Sequence, residues 1–360
     1  MASGVRRKAW GETLKKQFLN TLRLAPYDSR ATRKGGSNMG KWKLPPDGGH
    51  MDKASKIYFQ TMTKKDVEER LKKNDILLIP IGSTENHGAA GPYGEDTFIV
   101  TRMAELIAKE TGCTVALPVS YGSHPAYHLG QLGDVIIPDD VLSAYLRAVI
   151  AGFWNTGFRK QILFSLHGQE YLVPSAINEF AKKYQVPAVL IYLDVPRIMA
   201  TALMDKAHGG PYETPFGHAD EAETSMSMLL FPEMVQLENA EDTKSEGFLP
   251  AGHVDKGGDI YGYPIPGHCQ WGTRGIECVT HPEGVIGKAT LADPKKAYKT
   301  IEVFLDYVVK LHNDILAKFP PGVLPPIEMM TSRSKEEMEA VIKGPGQKGG
   351  RHIYTLGFPP

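Results

Sequence analysis

The sequence predicts a three-layer α/β/α fold with a mainly parallel sheet, on the basis of two observations. Short apolar runs of strand length alternate with segments of helical periodicity along much of the chain. The run Ile76–Ile81 is apolar at every position, which is typical of a strand buried on both faces. Strands separated by helices pair in parallel through right-handed crossovers, so helices should cover both faces of the sheet.

The predicted elements follow in order along the chain. A helix at Lys64–Lys73 precedes the strand at Ile76–Ile81. The later elements are predicted as a helix at Thr97–Glu110, a strand at Val115–Val119, a helix at Asp139–Thr156, a strand at Gln161–Leu166, a helix at Val173–Tyr184, a strand at Ala188–Leu193, and helices at Ser225–Leu230, Pro294–Leu316 and Ser334–Lys343. Ligands of such sheets bind beyond the carboxyl ends of the strands, where this sequence concentrates polar residues.

Composition divides the chain into three parts. Residues 1–55 are rich in Lys and Arg and form a basic N-terminal arm, which is either an interface arm or lid, or a solvated extension. Residues 56–320 hold the alternating elements and are predicted to be the catalytic domain. Residues 321–360 form a C-terminal extension. The long irregular stretch Glu246–Glu283 is predicted to be functional, because loops of this length in compact domains usually are.

The overall composition narrows the class of function. Lys plus Arg and Asp plus Glu each number 41, so no net charge steers the chain toward nucleic acid or an anionic membrane. No apolar run approaches the ~20 residues of a bilayer span, and the basic N-terminus lacks a signal-peptide core, so we expect a cytoplasmic protein. Its 3 cysteines form no C-x-x-C, so a metal would be held by His and carboxylates.

The first candidate site follows the strand Ile76–Ile81. Glu85 and His87 are two residues apart, so in an extended segment their side chains lie on one face and reach one site. Asp96 comes after a glycine-rich loop, just ahead of a predicted helix. Its carboxylate could bridge two ions, or it could simply satisfy the amides and dipole of the helix N-terminus.

Two further sets of polar residues are candidates for the same site. His167 follows the strand at Gln161–Leu166, and a lone histidine there would more often be a core or surface residue than a ligand. His218, Glu221 and Glu223 open the helix that ends at Leu230, where acids also favour the helix dipole. Imidazole and carboxylate ligands together suit Zn, Mn or Fe.

These residues resemble the creatininase family of creatinine amidohydrolases and their relatives. The stretch 82–88 is similar to the family signature G-S-T-E-x-H-G, and the likeness continues from about Ile76 to Leu316. Further matches are Gly122–Val135 with His128, the pair His167-Gly168, the triplet 223–225 and the glycine turn at 283–287. The resemblance implies a creatininase-like fold, a homo-oligomer of hexameric form, and hydrolysis that depends on two divalent metal ions per chain.

The resemblance also implies a ligand set. Glu85, Asp96 and His167 would hold one ion, and His87 and Asp96 would hold the other with a further carboxylate. The family places that carboxylate two residues after His167, where this chain has Gln169. Glu223 is the predicted substitute, with Glu170 and Glu221 in reserve.

The predicted substrate is a small ring. Where the family has F-P-G-T, this chain has polar groups at Gln131 and Asp134, and with Tyr127, Gln169 and Trp271 these are the predicted substrate-binding residues. Such a pocket suits a polyol, which favours a diketo-inositol of the 3-dehydro-scyllo-inosose type. A cyclic amide or formamide substrate, as in creatinine hydrolysis, is the alternative.

The expected mechanism is attack on a carbonyl by a water that the metal ions activate. His128 or His218 would protonate the leaving carbon or nitrogen, and Glu170 is a further catalytic candidate. A metal-stabilised binding protein without catalysis is a remote alternative. Nucleotide-binding and serine-hydrolase chemistry are disfavoured, because their glycine-rich and nucleophile-elbow motifs do not follow any predicted strand.

Overall fold

The structure is a computed structural model that describes residues 56–244, 249–250, 253 and 281–357. These residues belong to one compact unit, His50–Pro360. The predicted basic arm, Trp271 and most of the predicted loop at 246–283 lie outside the described residues. Within the described part of the chain, no helix has both the length and the apolar character that crossing a membrane requires.

The sheet has strands β1 (Ile76–Ile81), β2 (Thr114–Val115), β3 (Lys160–Ser165) and β4 (Val189–Asp194). They lie in the order β2-β1-β3-β4, and all neighbours are parallel. Every side chain of β1 and β3 is buried, which explains the continuous apolar run in β1. Because Ile81 pairs with Ser165, these two strands end at the same edge of the sheet.

Helices cover both faces of the sheet, and the predicted three-layer class is confirmed. The helices are α1 (Lys64–Lys73), α2 (Glu95–Thr111), α3 (Asp139–Thr156), α4 (Leu172–Tyr184), α5 (Val195–Met199), α6 (Glu221–Leu230), α7 (Pro294–Lys318) and α8 (Lys335–Lys343). One apolar cluster joins the sheet to α2, α6 and α7, and a second joins it to α3 and α4.

Two element boundaries differ from the prediction in ways that affect the site. Helix α2 begins at Glu95 rather than Thr97, so Asp96 lies inside its first turn. Helix α6 begins at Glu221 rather than Ser225, because the Asp220 side chain caps it by accepting bonds from the amides of residues 222 and 223. Both helices therefore present a carboxylate from their first turn.

The second strand is shorter than predicted. Only Thr114–Val115 pair as a strand, although Val119 forms a separate bridge to Ile81. Pro118 lies between them and has no backbone N–H to donate to a ladder. The chain nevertheless stays beside β1 up to the edge where the polar residues lie.

The predicted C-terminal extension packs against the same domain. Val341, Ile353 and Leu356 are buried in the apolar cluster that contains α3 and α4. Arg333 donates hydrogen bonds to the carbonyl oxygens of Lys183 and Tyr184, where α4 ends. These contacts fasten the tail to the face of the sheet opposite α7.

Candidate metal centre

The carboxyl edge of the sheet brings the five predicted metal ligands together. Glu85 and His87 follow β1, His167 follows β3, and Asp96 and Glu223 come from the first turns of α2 and α6. All five are buried, with at most 6% of each residue exposed. Three carboxylates and two imidazoles thus share a region shielded from water.

His87, Asp96 and Glu223 form one group of potential ligands. His87 Nδ1 donates to the backbone oxygen of Glu85 at 3.1 Å, so the lone pair of the neutral ring is on Nε2. His87 Nε2 lies 4.0 Å from Asp96 Oδ1 and 3.8 Å from Glu223 Oε2, with no hydrogen-bond partner among the described residues. Donors that surround a zinc-sized ion tetrahedrally lie about 3.4 Å apart, so this spacing fits one shared ion.

Glu85, Asp96 and His167 form the neighbouring group. His167 Nε2 donates to the backbone oxygen of Ser123 at 2.9 Å, which directs Nδ1 toward the carboxylates. Nδ1 lies 2.6 Å from Glu85 Oε2 and 3.4 Å from Asp96 Oδ2. Asp96 therefore turns one oxygen toward each histidine, which is the arrangement that a carboxylate bridging two ions requires.

The electrostatics of the cluster favour positive charge. Burial by itself lowers the pKa of His87, but the surrounding carboxylates, Glu95 and Asp96 foremost, raise it to about 10. Burial is likewise outweighed at His167, where Glu85 and Asp96 raise the pKa to about 10. Burial raises the pKa of Glu223 well above its ordinary value. A field that holds protons on two buried imidazoles also favours a divalent cation.

Hydrogen bonds from neighbouring residues fix the carboxylates. Ser83 Oγ lies 2.6 Å from Asp96 Oδ2 and 3.2 Å from Glu85 Oε2. The backbone amide of Ala219 donates to Glu223 Oε2 at 2.7 Å. Such supporting bonds orient metal ligands and are typical of built metal sites.

The two reserve carboxylates lie elsewhere. Glu221 accepts bonds from the amides of residues 213 and 214 and forms an ion pair with Lys296, so it holds α6 to its surroundings. The charge of Glu170 acts on Tyr171, Tyr192 and Asp194 near the end of β4. The bonds of Glu221 direct it away from the cluster, and the catalytic role of Glu170 stays a prediction.

A small cavity, partly open to solvent, lies beside the cluster. Its lining residues are Asn86, His128, Gln131, His218, His281, Gly284, Val285 and Ile286. His128 Nδ1 lies 3.1 Å from Glu85 Oε1, and His218 Nε2 lies 3.5 Å from the same oxygen. The two predicted catalytic histidines thus line the cavity and also lie next to Glu85 of the cluster.

The predicted substrate-binding residues have different surroundings. Gln131 lines the cavity and accepts a bond from the side chain of Asn86. Asp134 Oδ1 accepts a hydrogen bond from the backbone amide of Asn86, and Asp134 Oδ2 lies 3.7 Å from His128 Nδ1. Tyr127 belongs to the short helix Ala126–His128.

Gln169 does not face the cavity. Its side-chain nitrogen donates to the backbone oxygen of Gly82 and to Ser165, and its side-chain oxygen accepts from the Ser123 amide. Because these bonds use both amide hydrogens, Gln169 joins the ends of β1 and β3 instead of offering donors to a substrate. The predicted substrate contact is corrected to a positioning role.

Sequence reasoning missed three buried residues at this edge. Glu95 accepts a bond from Ser227, and its second oxygen has no partner in the described part of the chain. Burial and then the charge of His167 lower the pKa of His124 to about 4, which keeps its imidazole neutral. His281 lines the cavity. In the sequence, Glu95 and His124 could have been noticed only because they lie close to Asp96 and His128.

Known proteins are similar to this chain along most of its length. The sequence profile of the creatininase family, described as creatinine amidohydrolase, matches residues 60–312. A protein named 3-dehydro-scyllo-inosose hydrolase, from Thermotoga maritima, is 54% identical over 307 residues, which cover 85% of this chain and 99% of that protein. The creatinine amidohydrolase of Pseudomonas putida is 22% identical over 54% of this chain and 79% of its own length.

Solved structures show the same fold. A creatinine amidohydrolase (creatininase) structure covers 74% of this chain and 99% of its own, with a TM-score of 0.59 at 19% identity. A manganese form of creatininase gives a TM-score of 0.57 at 18% identity over the same shares. A Zn–Zn form of a mutant creatininase gives the same values.

Proposed function

Because this chain is a hydrolase of the creatininase family, we propose that it opens a polyhydroxylated ring carrying carbonyl groups, of the 3-dehydro-scyllo-inosose type. One observation carries the choice of substrate. The relative named for this activity is 54% identical over 99% of its own length, whereas the creatinine amidohydrolase is 22% identical. Hydrolysis of a cyclic amide is the alternative activity.

The cavity lining supports a substrate with many hydroxyl groups. Amide and imidazole side chains, from Asn86, Gln131 and His281, line one cavity and provide several hydrogen-bonding atoms there. A polyol loses bonds to water when it enters a pocket, and polar groups at fixed positions replace those bonds. A flat creatinine ring would use fewer of them.

Two divalent ions are part of the proposal, and the ligand geometry supports them. His87, Asp96 and Glu223 would hold one ion, and Glu85, Asp96 and His167 would hold the other. When bound, a pair of Zn, Mn or Fe ions supplies Lewis acidity toward a carbonyl oxygen and lowers the pKa of water toward ~7.

The protein's own residues would then transfer the protons of the reaction. In the proposed reaction, the oxygen of water adds to one ring carbonyl carbon. A second carbonyl group of the ring is separated from the first by one carbon. The bond between the attacked carbon and this middle carbon breaks, and the electron pair stays on the middle carbon as an enolate. That carbon must gain a proton. His128 and His218 line the cavity beside Glu85, and this position supports a role in delivering that proton.

The tautomer of His218 suits this role. Its Nε2–H donates to the backbone oxygen of Asn86 at 2.7 Å, which leaves the lone pair on Nδ1. Burial lowers the pKa of His218, although Glu85 acts in the opposite direction. The neutral ring can therefore accept the proton that water releases and return it to the carbon.

Metal content of the wild type and of His87→Ala tests the proposal, with the exposed His208→Ala as control. About two ions per chain are expected in the wild type and in the control, with a clear loss in His87→Ala. Turnover of 3-dehydro-scyllo-inosose is then compared with that of creatinine. A wild type that takes up no Zn or Mn would overturn the metal centre, and turnover of creatinine alone would overturn the substrate.

We further propose a cytoplasmic homo-oligomer, of hexameric form as in the family resemblance. The buried free thiol of Cys113 is consistent with a reducing compartment. Light scattering of the purified chain gives the test, because a mass equal to that of one chain would contradict the assembly.

A further inference from the structure

His124 is buried, and its ring has no hydrogen bond to any residue that the structure describes. Its side chain is 0% exposed, and neither ring nitrogen has a hydrogen-bond partner among the described residues. An unpaired buried polar group is unfavourable, and buried histidines of a core normally have partners. The contacts of His124 within the protein therefore do not explain a histidine here.

The ring of His124 adjoins one half of the candidate metal centre. Its Nε2 lies 3.9 Å from Glu85 Oε2, and its ring centroid lies 4.5 Å from that of His167. The donor atoms of Glu85, His124 and His167 all lie within 4.8 Å of one another. His167 Nδ1 lies 2.6 Å from Glu85 Oε2, whereas the 3.9 Å between His124 Nε2 and the same oxygen is too long for a hydrogen bond and suits atoms that share one ion.

We propose that His124 is a metal ligand, completing with Glu85 and His167 the site of the ion on that side of Asp96. The inference rests on the proposed dinuclear centre and adds a residue to it. The site would then contain two imidazoles, whereas the site of His87, Asp96 and Glu223 contains one.

The backbone that carries His124 is held in place for this role. The Ser123 oxygen accepts a bond from His167 Nε2 at 2.9 Å, and the Ser123 amide donates to Gln169 at 3.2 Å. Two residues that follow β3 therefore fasten the segment just before His124. A ligand position fixed in this way loses little conformational freedom when an ion binds.

A role in proton transfer fits His124 less well. A residue that exchanges protons with a substrate must reach the cavity, and His128 and His218 line it. Their side chains are 10% and 18% exposed, whereas the side chain of His124 is 0% exposed and is not part of that lining. His124 faces Glu85 and His167 instead.

The donor set also predicts a preference between metals. Imidazole nitrogen strengthens binding of Zn more than of Mn, because Zn lies higher in the affinity order of nitrogen ligands. Loss of His124 should therefore weaken binding of Zn at this position more than binding of Mn, and should leave the other position unchanged.

Metal binding by His124→Ala and His124→Gln provides the test. The two ions of each protein are titrated against a chelator with Zn and with Mn, and the visible spectrum of the Co(II)-loaded protein reports the ligand set. His312→Gln is the matched control, because His312 is buried outside the site and bonded to Asn74. The Gln variant keeps a side chain of similar volume if Ala unfolds the chain.

We expect one Zn affinity to fall about 100-fold or more in both variants, with a changed Co(II) spectrum, while the second affinity and the control stay as in wild type. Wild-type affinities and an unchanged spectrum in either folded variant would overturn the role of His124. If the His124 variants behave as wild type and the wild type binds two ions, the proposed function still stands. A wild type that binds no metal would overturn both.

Discussion

Single atoms decide which residues of the site can hold an ion. His87 and His167 each give one ring nitrogen to a backbone oxygen, and this choice directs the other nitrogen to the carboxylates. Asp96 presents a different oxygen to each histidine. The sequence shows that these residues are present, but it does not show the tautomers or the direction of each oxygen.

Glu223 illustrates what residue type alone cannot decide. Glu170, Glu221 and Glu223 are chemically identical, and each lies close in sequence to a predicted site residue. The helix start at Glu221 directs that carboxylate toward Lys296 and leaves Glu223 to face His87. Choosing among the three required the exact boundary of the helix, which is the least certain part of a sequence-based prediction.

Asp194 gives a pH-dependent prediction at the scale of one residue. Burial raises its pKa from the ordinary 3.8 to about 6, against the bonds from Arg197. The folded state therefore binds the proton more tightly than the unfolded chain, so this stabilising contribution is present below the ordinary pKa and lost as the pH rises through about 6. Asp194→Asn retains the helix cap without titrating.

The free energy of unfolding of Asp194→Asn, relative to wild type, should thus rise by roughly 2 kcal/mol between about pH 4 and pH 7. Urea unfolding at several pH values measures the difference. Asp66→Asn is the control of opposite sign, since bonds from Lys56 and Thr63 lower the pKa of Asp66. A difference for Asp194→Asn that does not change with pH would contradict the prediction.

At the scale of elements, β1 and α2 touch at a glycine. A Cβ atom added at Gly82 would lie 2.4 Å from the backbone Cα of Thr97. Glu85 follows Gly82 in the chain, and Asp96 directly precedes Thr97. The close approach therefore sets the separation of two proposed ligands.

Gly82→Ala should push the end of β1 away from α2. We expect a loss of about 1–3 kcal/mol in the free energy of unfolding from overpacking, together with weaker metal binding. Chemical denaturation and chelator titration measure the two effects. Gly168→Ala is the matched control, because a Cβ there meets nothing within 4 Å, although His167 is adjacent. Equal effects of the two substitutions would refute the role of the close approach.

Most elements could be predicted because burial leaves a clear pattern. The fully buried β1 appears as a continuous apolar run, β3 has a shorter apolar run at its centre, and the amphipathic helices appear in their periodicity. The short β2 was predicted too long, because the apolar residues on both sides of Pro118 suit a strand although the proline interrupts its ladder. The pattern records which residues are buried, but not which backbone groups are paired.

At the scale of the whole molecule, a buried ion pair joins the core to the tail. Lys160 Nζ binds both carboxylate oxygens of Asp75 at 2.8 Å and donates to the backbone oxygen of Pro320. Asp75 also accepts from the amide of Gly322. The amino-terminal edge of the sheet is thus fastened to the start of the C-terminal extension.

Asp75→Ala should leave the Lys160 charge buried without a partner. We expect a loss of about 3–5 kcal/mol in the free energy of unfolding, and cleavage by protease near residue 320 before the core is attacked. Adding Lys160→Met should restore part of the stability. Asp314→Ala removes an exposed ion pair with Lys310 and should have little effect. Equal losses in Asp75→Ala and Asp314→Ala would disprove this anchor.

The residues of the proposed metal centre could be named from the sequence, but their burial in one enclosed cluster could not. The family likeness brought Glu85, His87, Asp96 and His167 forward on local motifs. His124 carries no such motif, and its place beside His167 arises from long-range bonds to the end of β3. Contacts between segments that are distant in sequence are what a single sequence leaves unspecified.

The distance along the chain between the ligands has a consequence for the lifetime of the protein. In the proposed centre, helices α2 and α6 would supply ligands to one ion. Ser227 of α6, which donates to Glu95 of α2, lies 132 residues after it in the chain. An ion held by both would act as a reversible cross-link, comparable to a disulfide whose closed loop restricts the unfolded chain by roughly 4–5 kcal/mol. In a metal-starved cell, we therefore expect the metal-free chain to be degraded. The activity would then disappear with the protein before slow catalysis by the metal-free chain could be detected.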